Sequence, residues 1–169
     1  ESFKLLMLRD PESITWEGLG KLYGEGNDQL TDYSDAYIRQ TQALQRQVLD
    51  ALHRYERASL TPEQQVSYDT YEWYLQDLVN GQEFMYMDYP VNPIGVLGMQ
   101  YTIIGLFVDI QPLTSLEDAR AYISRLKQVK TKFDQLIEGL KLREQAGVIA
   151  PKLVLQVSLG DIQGISSSP

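Results

Sequence analysis

Four consecutive residues, Thr61-Pro62-Glu63-Gln64, constrain the fold of this chain more than any other feature. Threonine at a helix N-cap accepts from a backbone N–H in the first turn. Proline suits the first helical position, where its missing N–H costs nothing. Gln64 stands where a capping-box side chain reaches back to the cap. The helix opened there carries Tyr68, Tyr71, Trp73, Tyr74, Leu75, Leu78 and Val79 and is predicted to end near Phe84. Upstream, apolar residues recur at Tyr37, Leu44, Val48, Ala51, Leu52 and Tyr55 with the three-to-four spacing of one helix face. Thr31 or Asp32 is its expected cap, and Asp35 opposes the positive end of the helix dipole. The spacing predicts about 27 residues, a rod of roughly 40 Å at 1.5 Å per residue. A connection of only about four to six residues makes the two helices an antiparallel hairpin.

The remaining signals are mostly helical as well. Residues 2–8 predict a short helix that stops at Asp10-Pro11, because a residue before proline is pushed out of the α region. Residues 11–31 read as a turn-rich connector with a short helix around Trp16–Leu22, broken by Gly24, Gly26 and Asn27. Pro90 and Pro93 keep the next stretch out of regular helix, and Val96–Ile110 reads as a short buried helix or an extended pass. Ser115, with Glu117 and Asp118 behind it, opens a last long helix with apolar residues at Leu116, Ala119, Ile123, Leu126, Val129, Phe133, Leu136, Ile137 and Leu140. Gly147 is its predicted stop, and Pro151 restarts a helix carrying Leu153, Val154 and Val157. The expected fold is therefore all-α, an elongated antiparallel helical bundle with a proline-containing crossover loop. Residues 1–165 read as one helical domain and 166–169 (Ser-Ser-Ser-Pro) as a linker remnant. With no initial Met and a linker-like end, the chain is expected to be a processed or truncated piece of a longer protein.

Composition narrows the chemistry. At 169 residues and 43% apolar, the chain is long enough for one real core. A net charge of −8 argues against nucleic acid as a partner and against anionic membrane surfaces. No membrane-spanning segment is visible, because the longest apolar stretch, Ile94–Ile110, is interrupted by Gly95, Gly98, Gln100, Thr102 and Gly105. The absence of cysteine excludes disulfides, thiolate zinc sites and iron–sulfur clusters, and a single histidine excludes a histidine-rich metal centre within the chain.

No HExxH, P-loop, GxSxG or EF-hand pattern occurs. His53 has the chemistry of a general base or a lone metal ligand, but the plainer reading is a surface histidine paired with a carboxylate. The carboxylate pairs Glu117/Asp118, Glu56/Glu63 and Asp69/Glu72 sit at helix starts or on helix faces, where solvation and the helix dipole account for them. Aromatic density from Tyr68 to Tyr89 predicts inter-helix core, with Tyr86 and Tyr89 as the exceptions that lead into the proline loop. That loop is where binding is expected. Arg125 is read as half of an internal ion pair or as a clamp on an anionic substrate. No catalytic residue and no metal ligand is assigned.

Several stretches taken in order resemble the N-terminal part of the bacterial family labelled domain of unknown function 885. They are Pro11–Thr15, Asp28–Ser34, the aromatic helix Tyr68–Leu78, Asp88–Asn92 followed by Gly98-Met99-Gln100, Asp118–Leu126 and Arg143–Pro151. The resemblance implies a mostly helical protein, bacterial and periplasmic, extracellular or lipid-anchored, whose later half resembles a zinc metallopeptidase with an HExxH helix. Zinc is implied for the full-length family and no cofactor for this chain, since none of the ligand residues lies in it. The implied partners are the missing C-terminal region and peptide substrate. On that reading the present chain walls a cleft, with Tyr86, Tyr89, Asn92, Gln100 and Arg125 as the candidate cleft residues, and it exposes an apolar face that the rest of the protein covers. The alternative is a self-contained helical binding or scaffold domain with an aromatic groove.

Overall fold

Capping chemistry sets the helix starts in the structure, a computed structural model that describes residues 2–94 and 98–167. The fold is all-α, 72% helical and without a strand among the described residues. The helices are α1 (Ser2–Met7), α2 (Pro11–Trp16), α3 (Gly20–Tyr23), α4 (Asp35–Leu52), α5 (Pro62–Gly81), α6 (Met99–Gly105), α7 (Leu116–Gln145) and α8 (Lys152–Ser167). Single 3-10 turns at Arg57–Ser59 and Gln82–Phe84 flank α5, and a π-helical turn over Leu106–Ile110 extends α6.

The strongest signal forms as read. Thr61 accepts from the Gln64 N–H, and the Gln64 side chain accepts from the Thr61 N–H. Ser115 caps α7 through the Asp118 N–H, and Gly147, at φ +77°, follows its end. Two boundaries differ from expectation. Pro11 opens α2 rather than only ending α1, because the Asp10 carboxylate caps it through the Ser13 N–H. α4 starts at Ser34, not Thr31 or Asp32, since the Thr31 hydroxyl donates to Asp10 and the Asp32 carboxylate accepts from Ser34 N–H and Gln135. With 18 residues α4 is about 27 Å long at 1.5 Å per residue, well short of the expected rod. Ser166 and Ser167, expected as linker, belong to α8, while Ser168 and Pro169 lie outside the described residues, as do residues 95–97 of the crossover loop.

Two hydrophobic clusters hold these elements. One lies between α4 and α5, where Val48, Leu49 and Leu75 are buried, with Leu6 of α1 and Tyr71 against them. Antiparallel pairing is visible from side chains that join the start of α4 to the end of α5: Gln82 bonds Gln42 and Gln45, and Arg39 bonds Tyr86. The second cluster joins Leu30, α6, the π turn and α7 through Met99, Ile103, Leu106, Phe107 and Leu136, with Phe107 edge-on to Tyr122.

Two hydropathy-based expectations fail here. The aromatics of α5 do not form the hairpin core: Trp73 is 70% exposed and Phe84 58%, because the buried face runs through Tyr71, Leu75 and Val79. On α7, Ile123, Leu126 and Ile137 are about half exposed while Arg125, Lys132 and Arg143 are buried. The packed face of that helix is partly polar.

Candidate functional site

What α7 packs against explains its buried polar side chains. The connector 28–34 runs beside it without regular secondary structure, so its backbone N–H and C=O groups have no helix or sheet to satisfy them. Side chains of α7 supply the partners. Gln128 donates to the Asp28 carbonyl (2.7 Å) and accepts from Leu30 N–H (2.9 Å). Lys132 donates to the Thr31 carbonyl (3.1 Å) and to Glu12 (2.6 Å), and Gln135 accepts from Tyr33 N–H (2.9 Å). Arg125, with no exposed surface, donates through Nε to the Gln29 carbonyl (2.8 Å) and through Nη1 to Gln111 (2.9 Å). Its Nη2 reaches the Pro11 carbonyl (3.1 Å) and the Thr15 hydroxyl (2.6 Å). Arg125 thus ties α2, the connector and the residue after the π turn to α7. All four acceptors are uncharged, so the expected ion pair is not what holds it. Burial pulls its guanidinium below the ordinary value, against the pull of Glu12 and Asp28.

The sequence reading missed this row. Its signal was present as long polar side chains at 125, 128, 132 and 135, spaced by three and four like a core stripe but polar.

The candidate cleft residues do not converge on one point. Tyr86 lies at the α4–α7 end: its hydroxyl donates to Asp35 (2.5 Å) and accepts from Arg39 (2.8 Å). The Tyr86 bond, then Arg39, holds the Asp35 carboxyl below the ordinary carboxylate value, and Asp35 in turn raises the Tyr86 phenol. Asn92 shapes its own turn, donating to the Tyr89 carbonyl and accepting from Ile94 N–H. Tyr89 and Gln100 do come together. They line a cleft of about 450 Å³ between residues 88–91, the C-terminal half of α7, and α8. Its walls are largely apolar, with Phe133, Leu136 and Leu140 on one side and Leu155 and Ile162 on the other. At its polar end Arg143, 6% exposed, donates to Asp88 through Nε and Nη2. Gly98 is required beside Gln100, since a Cβ there would lie 2.5 Å from the Asn92 carbonyl oxygen and 2.7 Å from Gln100 Oε1.

Among the described residues no hydrolytic constellation is assembled around these side chains. His53 Nε2 lies 2.8 Å from Glu72, both exposed at the far end of the α4–α5 hairpin. Asp69 is taken by Arg57, and Asp118 by the Thr114 hydroxyl and N–H. Among the described residues no group of three or more histidines, cysteines, aspartates and glutamates is placed to hold a metal ion. With one imidazole and no thiol, the donor set does not fit the zinc implied for the full-length family. Among the described residues no helix is long and apolar enough to cross a membrane.

With the helical frame and this cleft in view, comparison assigns the family. Residues 11–169 match the model of the bacterial protein of unknown function DUF885, and the chain belongs to that family. No curated protein and no solved structure matches it.

Proposed function

We propose that this chain is a non-catalytic helical region of a metal-dependent peptidase-like protein, and that it walls a cleft completed by polypeptide beyond these 169 residues. The observation that carries the reading is the surface of α8. Leu153, Leu155, Val157, Leu159 and Ile162 are all exposed there, and Ser158 is buried. Leu155 and Ile162 line one cleft with Ile149 and with Ile137 of α7. An apolar patch gathered in one place in this way marks a contact with something else. The match over residues 11–169 as one run supports treating the chain as a single unit of that larger protein. In this reading the metal ligands, the water-activating glutamate and the catalytic step belong outside the chain, and the family likeness carries the expectation of an exported or lipid-anchored bacterial protein.

Reading the gene past the codon for Pro169 tests the proposal. An HExxH motif downstream supports it, and a stop codon immediately after Pro169 overturns it. The isolated chain should hydrolyse no peptide substrate with or without added zinc. Turnover that disappears in His53→Ala would also overturn it.

A further inference from the structure

A second pocket carries an inference that does not depend on the cleft-wall reading. It lies between the start of α2, the connector, α6, α7 and residues 88–90, and its volume is about 270 Å³. It shares only Asp88 and Pro90 with the cleft beside α8. Sites for drug-sized molecules begin at roughly 300 Å³, so this one suits a smaller ligand.

The charges around the pocket have a direction. Its cations are buried and engaged. Lys132, 5% exposed, donates to Glu12 and to the Thr31 carbonyl, and its ammonium lies 5.8 Å from the centre of the Tyr33 ring. Arg143, beside the pocket, donates to Asp88 and to the Gly139 and Met85 carbonyls. The carboxylates are engaged on one oxygen each. Glu12 takes the Thr31 N–H and Lys132 on Oε1 and nothing on Oε2. Asp88 takes both Arg143 bonds on Oδ1 and nothing on Oδ2. Both free oxygens stay open: Asp88 is exposed, and the buried unpaired side-chain atoms among the described residues are Gln100 Oε1 and Ser158 Oγ. Asp10 has no cation beside it, since its oxygens accept from the Ser13 N–H and from the Ser13 and Thr31 hydroxyls.

The open polar atoms of the pocket are therefore charged acceptors, which repel an anion and favour a cation with N–H donors. The Tyr33 phenol senses the same field: burial raises it most, and Asp88 raises it further against the pull of Arg143. A bare metal ion is a poor fit, because no three acidic side chains among the described residues are placed to hold one. The remaining wall is apolar, formed by the Tyr33 ring, Pro90 and Met99, and offers a surface to a short hydrocarbon stem.

We propose that this pocket binds a small molecule of the alkylamine class. Its primary ammonium donates to Glu12 Oε2 and Asp88 Oδ2, and its stem lies on Tyr33, Pro90 and Met99.

The test follows the methyl resonances of Met99 and Thr102 by NMR during titration with four probes of similar size. They are n-butylammonium, its isomer tetramethylammonium, which has the same charge but no N–H, 1-butanol and butyrate. Saturable shifts are expected with n-butylammonium. Tetramethylammonium and 1-butanol should bind about tenfold more weakly, the size of one charge-assisted hydrogen bond, and butyrate should not saturate. Asp88→Asn keeps an acceptor for Arg143 and removes the rim charge, and should weaken n-butylammonium about fivefold while leaving 1-butanol unchanged. Equal binding of the two isomeric cations, tightest binding of butyrate, shifts centred on Leu155 and Ile162 instead, no saturable shift, or undiminished binding to Asp88→Asn would each overturn the proposal. Should Asp88→Asn fail to fold, the four probes on the unaltered chain still decide it. The gene sequence beyond the Pro169 codon bears only on the cleft-wall reading, so the two can fail separately.

Discussion

Helix against helix in the α4–α5 hairpin and helix against connector beneath α7 are two different packing problems. In the hairpin each helix satisfies its own backbone, so the contact needs only apolar fill, and Val48, Leu49 and Leu75 provide it. Its polar contacts, the Arg57–Asp69 ion pair and the His53–Glu72 hydrogen bond, remain in solvent. Beneath α7 the partner is a connector with free amides and carbonyls, and a purely apolar helix face would strand them. Long polar side chains are therefore buried with the aliphatic ones. Apolar periodicity describes a contact between two regular elements. It does not describe a contact in which only one side is regular.

Arg125→Met is the sharpest way to break that contrast. The substitution keeps volume and removes the donors to the Gln29 and Pro11 carbonyls, Gln111 and Thr15. Each buried acceptor left unpaired costs about 1–3 kcal/mol, so a loss of about 4 kcal/mol is expected, read from the urea midpoint. Arg125→Lys should recover less than half, because an ammonium cannot span acceptors placed for a planar fork. A loss under about 1 kcal/mol for the methionine variant would mean that the connector does not need its staple.

Leu75→Ala probes the other region and should cost about 3 kcal/mol through lost burial and the cavity left behind. Leu75 has no exposed surface and sits at the centre of the hairpin cluster. Hydrogen exchange sharpens the comparison: amides of α4 and α5 should lose protection before those of α7. Equal loss throughout would show that the two clusters unfold as one unit.

These two residues also mark how far the sequence could be read. The Thr61 box, the Ser115 cap and the Gly147 stop are local chemistry, and they form where they stand in the sequence. The start of α4 was misplaced because Thr31 and Asp32 spend their oxygens on long-range partners, which no local rule contains. Leu75 was one of eight apolar or aromatic residues on its helix. Only tertiary contact could show that it, and not Trp73, faces α4. Of the candidate site, the proline loop and Gln100 were legible as a place to look. Arg125 was legible as an internal group, though its partners proved uncharged, but Gln128, Lys132 and Gln135 were not, because long polar side chains ordinarily signal a solvated face.

A smaller effect is expected at Tyr86, where the α4–α5 hairpin meets the α7 end. Tyr86→Phe removes the donor to Asp35, whose carboxyl lies below its ordinary 3.8 in the folded protein, first because of Tyr86 and then Arg39. A depressed folded-state value stabilises the fold above the ordinary carboxylate range, and the contribution is lost as pH falls through the folded value. The variant should lose about 1 kcal/mol at neutral pH. Its deficit should shrink in acid, below the ordinary carboxylate range, and the Asp35 carboxyl should titrate closer to its ordinary value by NMR. A deficit that persists unchanged at low pH would assign the loss to packing rather than to the hydrogen bond.

The least effect is expected at the only imidazole in the chain. His53 and Glu72 sit 2.8 Å apart with side chains 44% and 39% exposed, while Lys132 and Glu12 sit 2.6 Å apart with 5% and 15%. The contact lengths are nearly equal, but solvent screens the first pair and not the second. His53→Ala should therefore change stability by less than about 0.5 kcal/mol. Lys132→Met leaves the buried Glu12 carboxylate without its cation, held only by the Thr31 N–H, and the Thr31 carbonyl without its lysine donor, and should cost about 3 kcal/mol. Urea midpoints of the two variants measured side by side decide the matter. If His53→Ala proves as costly as Lys132→Met, exposure does not set the worth of charged contacts in this molecule, and the contrast between hairpin and connector loses its physical basis.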